Sequence, residues 1–192
     1  MSEVLRTGRL ALHPVSMSDH RALLAHWTGP LVRRHLFDDM VISPVQVTEI
    51  IAASQRDFAV EGYGLWTLRP GLRGSVDPYG GPLVGVAGLR RHDGPLHSAV
   101  DVEILYSLEP DRWGQGLAVE ASRAVLGYAF EVVGLHRITA EIDAGNTTSA
   151  AVAEQLGMRP WRAGPDGPDG ASYVAADRTH WLGSRRGIDA VP

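Results

Sequence analysis

The sequence predicts an α/β chain: short strands, largely antiparallel neighbours in sequence, with amphipathic helices packed on them. Three features carry that expectation. Gly64 to Leu68, Leu83 to Leu89 and Val100 to Leu108 are apolar, β-rich runs parted by Gly- and Pro-bearing turns, the pattern of an antiparallel meander. Ser43-Pro44-Val45-Gln46 is a helix start with a Ser cap, Pro at the first helical position and Gln three residues after the cap. The Val100 strand ends at Glu109-Pro110-Asp111, and Arg112-Trp113-Gly114-Gln115-Gly116-Leu117-Ala118 then leads into helical spacing up to about Val133.

The remaining elements follow in order. Arg9 to His13 reads as a first strand, ended by Pro14. Ser18-Asp19 opens a helix with Leu23, Leu24 and Trp27 on one face, stopped by Gly29-Pro30, and a short helical piece covers Leu31 to Phe37. After Ser43, residues Val47, Ile50, Ile51 and Phe58 share a helix face that Gly62 closes. Pro70 to Pro82 is a Gly/Pro-rich hairpin loop, and Asp93-Gly94 turns the chain toward the Val100 strand. Arg137 to Ile142 is a further strand, Asn146 caps a helix over about Thr147 to Leu156, and Gly157 ends it. Pro165 to Gly170 is a second Gly/Pro-rich loop, Ser172 to Ala176 a last strand, and 183–192 a frayed, flexible tail. Residues 1–182 are expected to form one domain.

Bulk properties narrow the classes of function. A hydrophobic fraction of 44% and a charged fraction of 21% belong to an ordinary globular chain. The net charge of −4 offers no basic footprint, so no nucleic-acid partner is expected. With no Cys there is no disulfide framework and no thiol nucleophile. Neither a charged-then-apolar leader nor an apolar run of the ~18 residues a membrane span needs is present, so a cytoplasmic protein without a membrane partner is expected. The eight His residues lack paired metal spacing, and no metal site is predicted. His92, His97 and His136 read as surface or satisfied polar groups, and Trp27, Trp66 and Trp161 as core or groove-wall residues.

A strand feeding a glycine-rich turn that opens a helix is a device for holding phosphate. The first N–H groups of the helix lack intrahelical partners, and the helix dipole adds partial positive charge there. Without a Cβ, Gly114 and Gly116 let a diphosphate approach the main chain. A dinucleotide-binding turn is the rival reading. Against it stand Val119 at the third glycine position, the long connection from Glu109 to Trp113, and the β-type segments that precede the unit.

Trp113-Gly114-Gln115-Gly116-Leu117-Ala118, followed by Glu120-Ala121, resembles motif A of the GCN5-related N-acetyltransferase (GNAT) superfamily, and within it the ribosomal-protein-acetylating (Rim-type) branch. Four more segments are similar in order and spacing: Arg9 to Pro14 to the opening strand, Val102 to Leu108 to the Glu-Ile-Gly-Tyr strand, and Gly134 to Ile138 to the step from helix to strand. The fourth, Asn146-x-x-Ser149 with Glu154 to Met158, resembles motif B. Two positions depart from the pattern. Trp113 stands where Gln or Arg is usual, and Ala153 stands where many members place a Tyr acid seven residues after the motif B Asn.

The resemblance implies a GNAT fold, a mixed and mostly antiparallel sheet of about six to seven strands flanked by about four helices. It also implies direct transfer of acetyl from acetyl-CoA to an amine. The backbone of Gly114, Gln115, Gly116, Leu117 and Ala118 would hold the pyrophosphate, and Trp113 would keep its place in that cradle through its main chain. A backbone N–H near Leu105 or Tyr106 would receive the oxyanion. Glu103 is the candidate base, directly or through water; Asp101, two residues before it, would share its strand face. Solvation of that face, or a purely orienting role for Glu103, is the plainer alternative. Ser149 is the candidate that assists the leaving thiolate, and Asn146, besides capping its helix, would contact the pantetheine arm. Acceptor walls would come from Trp27 to Asp39 and from Ala163 to Ser172, the second acidic at Asp166 and Asp169. A protein N-terminus and a small amine such as an aminoglycoside, amino acid or polyamine both fit as acceptor. Small Rim-type enzymes often pair, so the resemblance admits a homodimer and leaves the oligomeric state open. A binding module that keeps acyl-CoA but has lost transfer is the alternative that the Trp113 and Ala153 departures permit.

Overall fold

Periodicity and capping account for most of the secondary structure in the computed structural model, which describes residues 3–37, 39–71, 81–92, 101–161 and 171–186, with His92, Asp101 and 184–186 described by backbone alone. The strands are β1 (Leu5–Arg6), β2 (Leu10–Pro14), β3 (Leu65–Pro70), β4 (Gly85–His92), β5 (Asp101–Leu108), β6 (Arg137–Ile142), β7 (Arg159–Pro160) and β8 (Ser172–Asp177). The helices are α1 (His20–Thr28), α2 (Pro30–Leu36), α3 (Pro44–Val60), α4 (Leu117–Tyr128), α5 (Thr147–Gln155) and α6 (Arg178–Arg186).

The first compact unit takes residues 1–90 and 105–125. Its strands run β1-β2-β3-β4, with β1–β2, β2–β3 and β3–β4 all antiparallel. The second half of β5 belongs here too, and just beyond it the Glu109 N–H donates to Val84 O at 3.0 Å. The capping box at α3 forms as its residues dictate: Gln46 N–H donates to Ser43 Oγ at 3.3 Å, and Ser43 N–H donates to Gln46 Oε1 at 2.8 Å. Apolar faces of α1 and α3 bury Leu23, Trp27, Val47 and Ile51 against Val15, Leu65 and Val86, and Leu105 packs on the same cluster. Arg69 and Asp19, both nearly buried, pair at 2.7 Å.

The second unit takes residues 91–104 and 126–192. Its strand order is β5-β6-β8-β7; β5–β6 is parallel, with Glu103 opposite Thr139, and β6–β8 and β7–β8 are antiparallel. After α4 the chain adds a wider π-type turn over Ala129–Val133, bonded from Gly134 N–H to Ala129 O at 2.9 Å. Phe130 and Trp181 meet at 5.8 Å between ring centroids, and Arg178 Nε donates to Phe130 O at 2.8 Å, which docks α6.

Mixed strand directions and flanking helices match the predicted class, and the counts are corrected upward. Eight strands and six helices stand among the described residues, against six to seven and about four. The extra strands, β1 and β7, are two residues each, too short to show a period. Helix α6 is unannounced because its start, Arg178-Thr179-His180, carries no apolar spacing; the packing of Trp181 on Phe130 decides it. It includes residues 183–186 of the expected tail. The tips of the loops after Pro70 and Asp93, with His97, and the acidic loop with Asp166 and Asp169 lie outside the described residues, as do 187–192.

Candidate functional site

In the first unit the glycine turn departs from β5 as expected. Gly114 and Gly116 hold φ of 71° and 73°, the left-handed region that a side chain strains to enter. A Cβ built on Gly114 would meet nothing within 4 Å, so that side of the turn is open for a ligand to approach. Helix α4 follows at once, with Glu120 N–H bonded to Gly116 O at 3.1 Å. Trp113 is half exposed and donates its ring N–H back to Leu108 O at 2.9 Å, while Gln115 Nε2 donates to Asp111 O at 2.9 Å. Those two side chains brace the turn.

A cation arrives from elsewhere. Arg9 Nη1 donates to Gln115 O at 2.8 Å, and Arg9 Nε donates to Glu120 Oε2 at 2.5 Å. Glu120 Oε1 also accepts from the Arg9 N–H at 2.8 Å and from Thr7 Oγ1 at 2.6 Å. Partial burial pushes the Glu120 carboxyl upward, and the bonds from Thr7 and Arg9 with the Arg9 charge outweigh it, so the group ends below its ordinary value. Near the end of β5, buried His26 of α1 sits between two partners: Nε2 is 2.8 Å from Ser107 Oγ and Nδ1 is 2.9 Å from Glu109 Oε1. Burial lowers the His26 pKa, and the Glu109 charge opposes this incompletely, so the ring is neutral near pH 7. With a carboxylate on Nδ1, that nitrogen carries the proton and Nε2 accepts from the Ser107 hydroxyl.

In the second unit Glu103 is buried, and its Oε1 accepts from the Glu141 N–H at 3.4 Å. Thr139 Oγ1 donates to Val102 O at 3.3 Å across the same parallel pair. Asn146 caps α5, its Oδ1 accepting from the Ser149 N–H at 3.0 Å. Asn146 and Ser149 are each partly exposed, whereas Ala153, one turn further along, is buried.

The protein-family model described as an acetyltransferase (GNAT) domain matches residues 9–159, most of the chain. The chain belongs to the GNAT acetyltransferase family. It is therefore an acetyl-CoA-dependent acyltransferase, with acetyl-CoA as co-substrate. A Bacillus licheniformis relative, named as the uncharacterized N-acetyltransferase p20, is 26% identical over 157 residues, which are 82% of this chain and 83% of that protein. The fold is shared with an acetyltransferase from Agrobacterium tumefaciens at a TM-score of 0.72 and 24% identity, covering 92% of this chain and 95% of the other. It is shared too with a spermidine N-acetyltransferase from Vibrio cholerae solved with CoA and spermine, at a TM-score of 0.69 and 15% identity over 92% and 99% of the two chains. The family rests on the matched model, and the two solved structures share the fold.

For this GNAT chain the expected residues fall into two described groups. Leu105, Tyr106 and the turn from Trp113 to Ala118 stand in the first unit. Glu103, Asn146 and Ser149 stand in the second, where the Ser149 N–H donates to Asn146 Oδ1. Asp101 is described by backbone alone, so its side chain is not placed. Trp27 and Trp66 are core residues, as expected: Trp27 packs edge-on to Phe37 and Trp66 edge-on to Phe58. Trp161 stacks under the Arg137 guanidinium at 5.4 Å. Sequence reasoning missed the Arg9–Glu120 tie and the Ser107–His26–Glu109 line. Their members lie 111, 81 and 83 residues apart, and no local spacing signals such pairs.

Proposed function

We propose that this enzyme acetylates a primary amine by direct transfer from acetyl-CoA, with a protein N-terminal α-amine as the favoured acceptor, as in the Rim-type branch. The observation that carries the reading is the open glycine turn, both glycines left-handed, at the start of α4. On this reading the main chain of Gly114 to Ala118 holds the diphosphate, and a backbone N–H at Leu105 or Tyr106 receives the oxyanion. Asn146 contacts the pantetheine arm. Trp113 serves by bracing the turn rather than by a polar contact to phosphate.

The amine nitrogen attacks the thioester carbonyl carbon, the C–S bond breaks, and CoA leaves with a proton. The attacking amine must first be neutral. An α-amine with a pKa near ~8 gives up its proton more easily than a lysine near ~10.4, which favours the N-terminal acceptor. Glu103 takes the proton, directly or through water, and Ser149 stabilises the departing thiolate by a hydrogen bond. The enzyme works in the cytoplasm as a single GNAT domain, paired as a homodimer.

The test is a CoA-release assay against peptides with free N-termini, aminoglycosides, amino acids and polyamines. Peptide turnover that stops when the N-terminus is blocked supports the α-amine reading; turnover of spermidine or an aminoglycoside alone would sink it. For Glu103, an unchanged pH–rate profile of Glu103→Gln at saturating donor would remove its role as base.

A further inference from the structure

Arg9, the residue just before β2, reaches the glycine turn and donates to the backbone carbonyl of Gln115. No peptide bond among the described residues is cis, so the 115–116 peptide is trans and planar, and its N–H points opposite to its carbonyl. Whatever fixes the Gln115 carbonyl therefore aims the Gly116 N–H. Such fixing is needed here. Glycines at 114 and 116 give the turn the freedom to rotate that peptide plane, and a rotated plane would present a carbonyl to an anion. The guanidinium is itself anchored: Nε donates to Glu120, whose other oxygen is tied down by Thr7 and by the Arg9 N–H. A hydrogen bond from a cation to a carbonyl also polarises the peptide and strengthens its N–H as a donor.

We infer that Arg9 is a positioning residue for the donor's diphosphate: held by Glu120, it locks the 115–116 peptide so that the Gly116 N–H faces the phosphate. It supplies, by way of the backbone, an anion-binding contribution at a turn where position 113 carries Trp instead of Gln or Arg. The inference rests on the reading of this turn as the diphosphate cradle. Arg9 suits the task better than Lys would, because its planar fork bonds Glu120 through Nε and Gln115 through Nη1 at the same time.

The experiment compares CoA, measured by titration calorimetry, with pantetheine, which lacks the diphosphate and is measured by displacement of bound CoA. Arg9→Ala is expected to weaken CoA about tenfold and leave pantetheine unchanged. Arg9→Lys, which keeps the charge and loses the fork, should show most of the same loss, and the Gly116 amide should shift in the ¹H–¹⁵N spectrum of the free protein. Equal losses for both ligands would make Arg9 merely structural, and full recovery with Lys would show that charge rather than position matters; either result overturns the inference. If the wild type itself binds CoA no better than pantetheine, the diphosphate reading of the turn fails first. Should Arg9→Ala fail to fold, Arg9→Lys with the Gly116 amide carries the test.

Discussion

His26 and Glu109 meet at 2.9 Å, the imidazole closed off from solvent and the carboxylate about one third exposed at 36%. Because burial holds the ring neutral, in this contact a neutral imidazole N–H donates to the carboxylate near pH 7, and it becomes an ion pair only on acidification.

The first prediction concerns acid. The folded pKa of His26 lies below the unfolded value of 6.5, so its contribution to stability is complete above that pH and is lost as pH falls from there through the folded value. His13 adds a step of the same sign: burial and the charges of Arg69 and Arg6 lower it, with Asp19 opposing. Each proton contributes a slope of at most ~1.4 kcal/mol per pH unit. Thermal melts between about pH 5 and 7 should therefore show a falling Tm, shallower in His26→Gln. An unchanged slope in that variant would assign the whole effect to other groups.

A second acid step lies lower. Glu120 is held below its ordinary 4.5, so what it contributes is present above that pH and lost as pH falls through the folded value. Glu120→Gln should melt with little pH dependence added in that range. Identical acid limbs for wild type and variant would remove this assignment.

The nearly buried Arg69–Asp19 pair gives the third prediction. Asp19 also accepts from the Ser16 N–H at 3.0 Å ahead of α1, so Asp19→Ala leaves a nearly buried guanidinium without its carboxylate, although Nη1 still donates to Gly81 O at 2.6 Å, and an N-terminus without its acceptor. A loss of ~3 kcal/mol or more is expected in urea unfolding. A loss under ~1 kcal/mol would mean that water replaces the carboxylate.

Two glycines should behave oppositely. A Cβ on Gly88 would collide with Gly64 O and sit 2.6 Å from the Leu65 Cα, both backbone, so Gly88→Ala should fail to fold. Gly114→Ala meets no atom and pays only the left-handed strain, ~1–2 kcal/mol. It should fold, and, on the proposed reading of this turn as the diphosphate cradle, with a raised KM for acetyl-CoA because the methyl group would stand on the open side of the turn. A folded Gly88→Ala, or a Gly114→Ala with unchanged KM, would each contradict the geometry.

Much of this protein was determined by local sequence. Ser43, Pro44 and Gln46 start α3, Asn146 and Gly157 bound α5, and Gly114 and Gly116 mark the turn before α4, because caps and left-handed positions depend on residues within one helical turn. The family was legible for the same reason, since motifs A and B are contiguous runs of backbone chemistry. Only the tertiary structure decided the rest. Strands as short as β1 and β7 exist because a neighbour supplies their hydrogen bonds, and α6 exists because Trp181 finds Phe130. Ser107, His26 and Glu109 form one line, and Arg9 meets Glu120 and Gln115, through side chains brought together across 81 to 111 residues. A hydrogen bond of that kind costs chain entropy that folding of the whole core must supply, and it leaves no periodic trace in the sequence.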